Sequence, residues 1–220
     1  MLIILGSTGG VGKALLHGMA STMYPYGEII GSRRSECDLS SSESVDRYFA
    51  ALAGRLRSNE RLHVINAVGI SLNGSIAKLH DDAWQQTLDI NVMGAVRVLR
   101  AFARGTLAIP GSSVCLLSSI VPRVGVYGTA AYSASKAALA GLVKVAGIEW
   151  GKRLLRVNVV ELGYCNMGLI RQLGAPQLAG VIAESPLGGL AGEGDLVSAC
   201  HFALSNRYLT GSMIPLTGGL

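Results

Sequence analysis

Tyr132 and Lys136 stand four residues apart in the run Ala-Ala-Tyr132-Ser-Ala-Ser-Lys136. If that segment is a helix, the two side chains share a face and can share a site. A free phenol, with a pKa of about 10, is a poor proton donor near neutrality. A lysine cation beside it favours the phenolate and moves the group towards the working range. Thirteen residues before Tyr132, Ser118-Ser119 closes the apolar run Val114–Leu117, which reads as a buried strand. A serine at the carboxyl end of such a strand points into the crevice where α/β sheets bind ligands. The chemistry implied is proton transfer by a tuned phenol.

A second group of residues suits an anionic cofactor. Leu5-Gly6-Ser7-Thr8-Gly9-Gly10-Val11-Gly12 follows an apolar run and opens a helical one. Gly6 permits a sharp turn, Gly10 lets a ligand approach the backbone, and Gly12 allows close helix–strand packing. Amides at the helix start then face a phosphate. The spacing reads equally as Gly-x-x-x-Gly-x-Gly or, through Gly9, as Gly-x-x-Gly-x-x-Gly. No Gly-Lys-Ser/Thr follows, which excludes a Walker loop. The next apolar run ends Gly31-Ser32-Arg33-Arg34, with two arginines and no acid. At that point an acid would bind a ribose 2′-hydroxyl and an arginine would take a 2′-phosphate, so NADP(H) is favoured over NAD(H).

The elements that must position these residues alternate from end to end, which predicts a largely parallel, doubly wound α/β sheet with helices on both faces. Strands are predicted at Met1–Leu5, Glu28–Ser32, His63–Asn66, Ser113–Leu117, Arg156–Glu161 and Met213–Leu216. Helices are predicted at Gly10–Ala20, Ser42–Leu56, Ala83–Arg104, Ala131–Lys152 and Asp195–Leu204. Ser41 or Ser42 would cap the second helix, with Asp46 in its first turn. Between Ile30 and Asp38 there is no room for a crossover helix. Either Cys37-Asp38-Leu39 is a short extended piece, or the sheet is abbreviated after its second strand.

Composition narrows the function. Half of the 220 residues are apolar and only 15% are charged, which suits one tightly wound domain over 1–220 and disfavours disorder. No apolar stretch reaches membrane-spanning length, and Met1–Leu5 lacks a basic leader and cleavage site, so a cytoplasmic protein is expected. Cys37, Cys115, Cys165 and Cys200 are scattered, without metal-ligand spacing, and read as reduced thiols with no metal. The net charge of +5 is not clustered; it fits an anionic cofactor better than nucleic acid.

Taken together, these residues resemble the short-chain dehydrogenase/reductase family along nearly the whole chain. Gly6, Gly10 and Gly12, with Ser7, Thr8 and Val11 between them, match its cofactor turn. Asp38, beside Leu39, sits where the family places an aspartate at the adenine ring. Asn66-Ala67-Val68-Gly69 is similar to its Asn-Asn-Ala-Gly run, and Asn91 matches the helix asparagine that supports a proton-relay water. Ser119, Tyr132 and Lys136 match its catalytic set with the usual spacing. Tyr208–Gly219 is similar to its closing strand and loop. Three features depart from the pattern. Leu162-Gly163-Tyr164-Cys165-Asn166-Met167 keeps Gly163 but replaces the family's proline and its nicotinamide-binding threonine. The segment after the second strand is short, and the chain ends soon after Gly219, without the substrate domain of sugar epimerases.

The resemblance implies a Rossmann-like fold and reversible hydride transfer between NADP(H) and a ketone or secondary alcohol. Tyr132 would exchange the proton and Ser119 would bond the substrate oxygen. Lys136 would lower the tyrosine pKa and hold the ribose, and Asn91 would order the relay water. Ile120, Val126, Tyr127, Tyr164, Met167, Leu169 and Leu173 flank the site and suit an apolar or mixed pocket. Arg171 lies where reductases of carrier-protein thioesters often carry a base, which makes a 3-oxoacyl thioester the leading substrate. The alternatives are a catalytically idle NADP(H)-binding sensor or partner protein, and an epimerase or dehydratase on the same fold. Apolar residues Val96, Leu99, Phe102, Leu139, Leu142, Val143 and Trp150 on two long helices point to a homodimer or homotetramer.

Overall fold

The computed structural model describes residues 1–22, 24–104 and 107–220, apart from the side chains of Leu169 and Gln172. Leu169, one of the expected pocket residues, thus lies outside the described side chains. Six strands form one parallel sheet: β1 (Leu2–Leu5), β2 (Ile29–Ser32), β3 (His63–Asn66), β4 (Ser113–Ser119), β5 (Arg156–Leu162) and β6 (Ser212–Leu216), in the order β2-β1-β3-β4-β5-β6. The central strands are buried on both faces, so they read as apolar runs without alternation. Successive residues nonetheless part to opposite sides. Ile3, Leu5, Val64, Val114, Leu116, Val157 and Val159 face one core, and Leu2, Ile4, Ile65, Cys115, Leu117 and Val160 the other.

The first core is roofed by α2 (Ser42–Ala53), α4 (Gly94–Ala103) and α6 (Ala130–Gly151), the second by α1 (Gly10–Ser21) and α8 (Glu193–Ser205). The strand order reverses beside β1, where Leu5 pairs with Asn66 of β3. A crevice opens at such a switch point, outside the carboxyl ends of the strands.

The predicted strands fall within one or two residues of those observed, and three helices likewise. Helix α2 ends at Ala53, before the predicted Leu56. Ser41 caps it by accepting a hydrogen bond from the Ser44 amide at 3.1 Å, and its first-turn acid is Glu43 rather than Asp46. The predicted helix Ala83–Arg104 divides into α3 (Asp81–Leu88), a π-helical turn at Asp89–Met93 and α4. After β2 the chain turns back at once, with the Glu36 and Cys37 amides bonded to the Arg33 carbonyl. The sheet is therefore abbreviated there, β2 is its edge, and Cys37 joins no strand. Two elements escaped the sequence reading: α5 (Val121–Val124), and α7 (Ala175–Glu184), which follows a 3-10 turn at Gly168–Gln172. Among the described residues no helix is long and apolar enough to cross a membrane.

Candidate active site

A cavity of about 800 Å³ opens at the switch point. Its wall includes Gly9 to Ala14, Ala67, Gly69, Leu117, Ser118, Tyr132, Lys136, Leu162 and the segment Asn166–Gly168 with Arg171. Of the catalytic candidates, Tyr132 and Lys136 line it, while Ser119 and Asn91 are not on its wall. Ser119 ends β4; its Oγ accepts the Val121 amide at 3.2 Å, which α5 presents, and its hydroxyl favours the Tyr132 phenolate. Tyr132 lies in the first turn of α6 and Lys136 one turn later, its Nζ 5.7 Å from the tyrosine ring centre. Lys136 is 5% exposed and donates from Nζ to the Leu117 carbonyl at 2.9 Å. Ser118 Oγ in turn donates to the Lys136 carbonyl at 3.0 Å, fastening α6 to the end of β4.

Asn91 occupies the π turn, a distortion that often marks functional sites. Its side chain accepts the Ile70 amide and donates to the Ile70 carbonyl and to Ser135 Oγ, each at 2.9 Å. It thereby joins the loop after β3 to α6, and Ser135 completes the link by donating to the Tyr132 carbonyl at 2.7 Å. Gly69 lies between these groups. A Cβ there would stand 3.1 Å from Lys136 Nζ and 3.6 Å from Asn91 Oδ1. Ser135, which the sequence reading did not single out, lies three residues after Tyr132 on the same helical face.

Electrostatics differ from expectation in one respect. Burial is the larger influence on Tyr132 and pushes its phenol above the usual range, against the hydrogen bond from Ser119. Burial also pulls Lys136 down to about 8. Without cofactor, Tyr132 thus keeps its proton rather than yielding it to the field of Lys136.

The cofactor candidates divide into three sets. Gly10, Val11, Gly12, Ala67, Gly69, Tyr132 and Lys136 line the cavity. Gly6, Ser7, Asn66, Val68 and Gly163 shape its frame. Gly6 has φ +78° and no space beside Val68; Ser7 Oγ bonds the Ser32 carbonyl; Asn66 Oδ1 accepts the Val68 amide at 3.1 Å. Gly163 is required by its neighbour, since a Cβ would meet Thr217 Cα at 2.7 Å. Thr8 is exposed on the turn. Arg33, Arg34, Asp38 and Leu39 form the third set, beyond β2. Arg34 Nε pairs with Asp38 at 3.2 Å, and Asp38 also accepts the Ser40 amide and hydroxyl. Those bonds, the amide of Ser40 first, hold the Asp38 carboxyl below its usual range. The exposed Arg33 has no side-chain partner among the described residues, and the Leu39 side chain belongs to the core.

These residues fit a dinucleotide. Helix α1, with Gly9 as its N-cap, has no side-chain cap and no acid in its first turn, so its free amides are left for an anion. Lys136 supplies a buried cation at the other end of the cavity.

Of the expected pocket residues, Met167 lines the cavity, but its side chain also packs in the core beside α1 and α8. Tyr164 and Leu173 lie on the flanking segments, and Ile120 is 1% exposed in the interior. Val126 and Tyr127 project into solvent, Tyr127 at 91%. Arg171 turns onto the cavity wall, donating from Nε and Nη2 to the Asn166 carbonyl at 3.3 and 3.1 Å. Lys13, His17 and Glu193 also line it, and nothing in their spacing marked them.

A serine, a tyrosine and a buried lysine at the crevice of a dinucleotide-binding sheet define a nicotinamide-dependent oxidoreductase acting on CH–OH and C=O groups. Residues 17–220 match the family model described as enoyl-(acyl carrier protein) reductase. The chain belongs to the short-chain dehydrogenase/reductase family. It is 27% identical to the 3-oxoacyl-[acyl-carrier-protein] reductase of Salmonella typhimurium, over 99% of this chain and 96% of that protein. It is 26% identical to carbonyl reductase family member 4 of Xenopus laevis, with the same coverage of each chain. Among solved structures it resembles a small-chain dehydrogenase in complex with NADPH, with TM-score 0.85, 24% identity and coverage of 99% and 96%. It also resembles ligand-free aldohexose dehydrogenase of Thermoplasma acidophilum, with TM-score 0.84, 21% identity and coverage of 100% and 93%.

Proposed function

We propose that this protein is a cytoplasmic NADP(H)-dependent reductase of a 3-oxoacyl thioester or similar ketone, working as one domain over residues 1–220. The observation that carries the reading is the buried cluster Ser119–Tyr132–Lys136, tied through Ser135 to Asn91. The substrate class is supported by the 3-oxoacyl reductase of Salmonella typhimurium and the (3R)-3-hydroxyacyl-CoA dehydrogenase of Canis lupus familiaris, the latter 30% identical over 71% of this chain and 62% of that protein. The NADP(H) assignment rests on Arg33 and Arg34 and accords with the NADPH-bound structural neighbour.

Bound at the glycine turn, the nicotinamide cofactor supplies the hydride. The chain's own residues do the rest. Ser119 Oγ, oriented by the Val121 amide, donates to the substrate oxygen, where negative charge grows in the transition state. Tyr132, kept protonated by burial, delivers its proton to that oxygen. Lys136 Nζ, with one bond spent on the Leu117 carbonyl, keeps donors for the ribose hydroxyls, and its charge stabilises the phenolate left behind. Asn91 holds the Ile70 loop and Ser135 in place, from where a relay water returns a proton.

Helix α6 also suggests the assembly. Leu139, Val143 and Trp150, with Leu99 and Phe102 of α4, are spent in the protein's own core. The uncovered face carries Ala134, Ala137, Ala138 and Gly141, with Val145 and Ile148 at 55% and 74% exposure. That small, apolar stripe would pack closely against its twin in a two-fold homodimer or a tetramer. Light scattering that returned a single-chain mass would refute this.

Following NADPH absorbance against a panel of ketones and 3-oxoacyl thioesters tests the reading. Consumption with a 3-oxoacyl thioester is expected. Tight NADPH binding with no turnover on any carbonyl would favour the idle sensor instead.

A further inference from the structure

We propose that Arg171 is a cofactor-binding residue of this chain, its guanidinium gripping the diphosphate of the dinucleotide over the start of α1. The proposal rests on the NADP(H) reading above and adds to it a residue that neither the glycine turn nor the catalytic cluster includes.

The segment after β5 lies directly on the glycine turn. A Cβ on Gly10 would fall 2.6 Å from the Gly168 amide nitrogen and 2.7 Å from its Cα, and a Cβ on Gly168 would meet Val11 at 3.2 Å. Both backbones therefore need glycine to touch. From that anchor the 3-10 turn leads to Arg171, which lines the same cavity as Gly9 to Lys13. Two guanidinium N–H groups converge on the Asn166 carbonyl and fix the side chain's direction. The remaining three have no partner among the described residues.

Charge at this wall is unbalanced. The start of α1 carries the positive end of the helix dipole, Lys13 adds a cation in the first turns, and no acid offsets them there. The carboxylate of Glu193, on the same cavity, holds the His17 ring at 2.6 Å. Lys13 and Arg171 together set two positive side chains against that one carboxylate, an arrangement that favours an anionic ligand. A diphosphate fits this wall, because the free amides and the guanidinium fork both match phosphate oxygens.

Binding of three ligands to the cofactor-free protein, followed by fluorescence titration, tests the assignment. NADPH and 2′-phospho-ADP-ribose carry the diphosphate; adenosine 2′-monophosphate has no phosphate on its 5′ side. Loss of one charge-assisted contact in Arg171→Ala should weaken the first two by about 10-fold or more and leave the third essentially unchanged. Arg171→Lys, which keeps the charge without the fork, should recover part of the loss. Equal weakening of all three ligands, or of none, would overturn the proposal. Wild-type protein that bound none of the three would instead overturn the NADP(H) reading itself.

Discussion

At the reaction end, Asn91, Ser119 and Lys136 are 3%, 9% and 5% exposed, and each is fixed by hydrogen bonds that reach a different element. At the end we propose for the adenosine, Arg33 and Arg34 leave an edge strand into solvent, and the Arg34 side chain is 74% exposed. The contrast follows from what each end must do. Proton transfer depends on groups held within a fraction of an ångström in a dry site, because misplacing one costs orders of magnitude in rate. Holding a 2′-phosphate needs only a reachable guanidinium, which keeps much of its value when exposed but is screened by salt. Shortening the chain after β2 therefore removes enclosure where enclosure matters least.

The predictions separate the two ends. Tyr132→Phe should reduce turnover 10²–10⁴-fold, as for loss of a positioned proton donor, with NADPH affinity little changed. Asn91→Ala removes three hydrogen bonds between the Ile70 loop and α6. It should lower kcat by roughly 10- to 100-fold through misplacement, with a smaller effect on cofactor affinity; unchanged kcat would mean the clamp is idle. Arg33→Ala should cut the preference for NADPH over NADH by about 10-fold. Arg34→Ala should do less, since Asp38 already occupies that guanidinium. A preference indifferent to Arg33, or to added salt, would show both arginines to be mere surface.

The remaining prediction concerns stability. Burial lowers Lys136 to about 8 from an ordinary value of 10.5. Between those values the unfolded chain binds the proton that the folded one has lost, so this group's contribution to stability rises with pH across that window. Below pH 8 the buried cation is a full cost, and Lys136→Met should relieve roughly 3 kcal/mol of it at most. Denaturation at several pH values should show the mutant's advantage shrinking from pH 8 towards 10.5. An advantage that did not change with pH would mean the lysine is not desolvated.

Much of this was legible in the sequence where one local signal had one meaning. The buried strands are unbroken apolar runs, the glycine turn sits between a strand and a helix, and Tyr132 and Lys136 share a helical face. What stayed hidden depends on packing. The π turn at Asn91 arises where the helix meets the Ile70 loop and Ser135, and has no compositional mark. Helix α7 has only Gln177 and Glu184 as polar residues, too few to mark a helical face. On α6, residues apolar around most of the circumference gave no sign of which face the core would take. Val143 went inside and Val145, two residues on, stayed out. Arg171 was legible as a basic residue near the site, but its direction is set by its two bonds to the Asn166 carbonyl.

The central claim is that the chemistry resides in the buried end alone. Single-turnover oxidation of NADPH, in protein saturated with cofactor and mixed with a 3-oxoacyl thioester, tests it most directly. Arg33→Ala, once saturated, should oxidise its NADPH at the wild-type rate, while Tyr132→Phe should be slower by about 100-fold or more. A Tyr132→Phe protein that oxidised bound NADPH as fast as wild type would contradict the account.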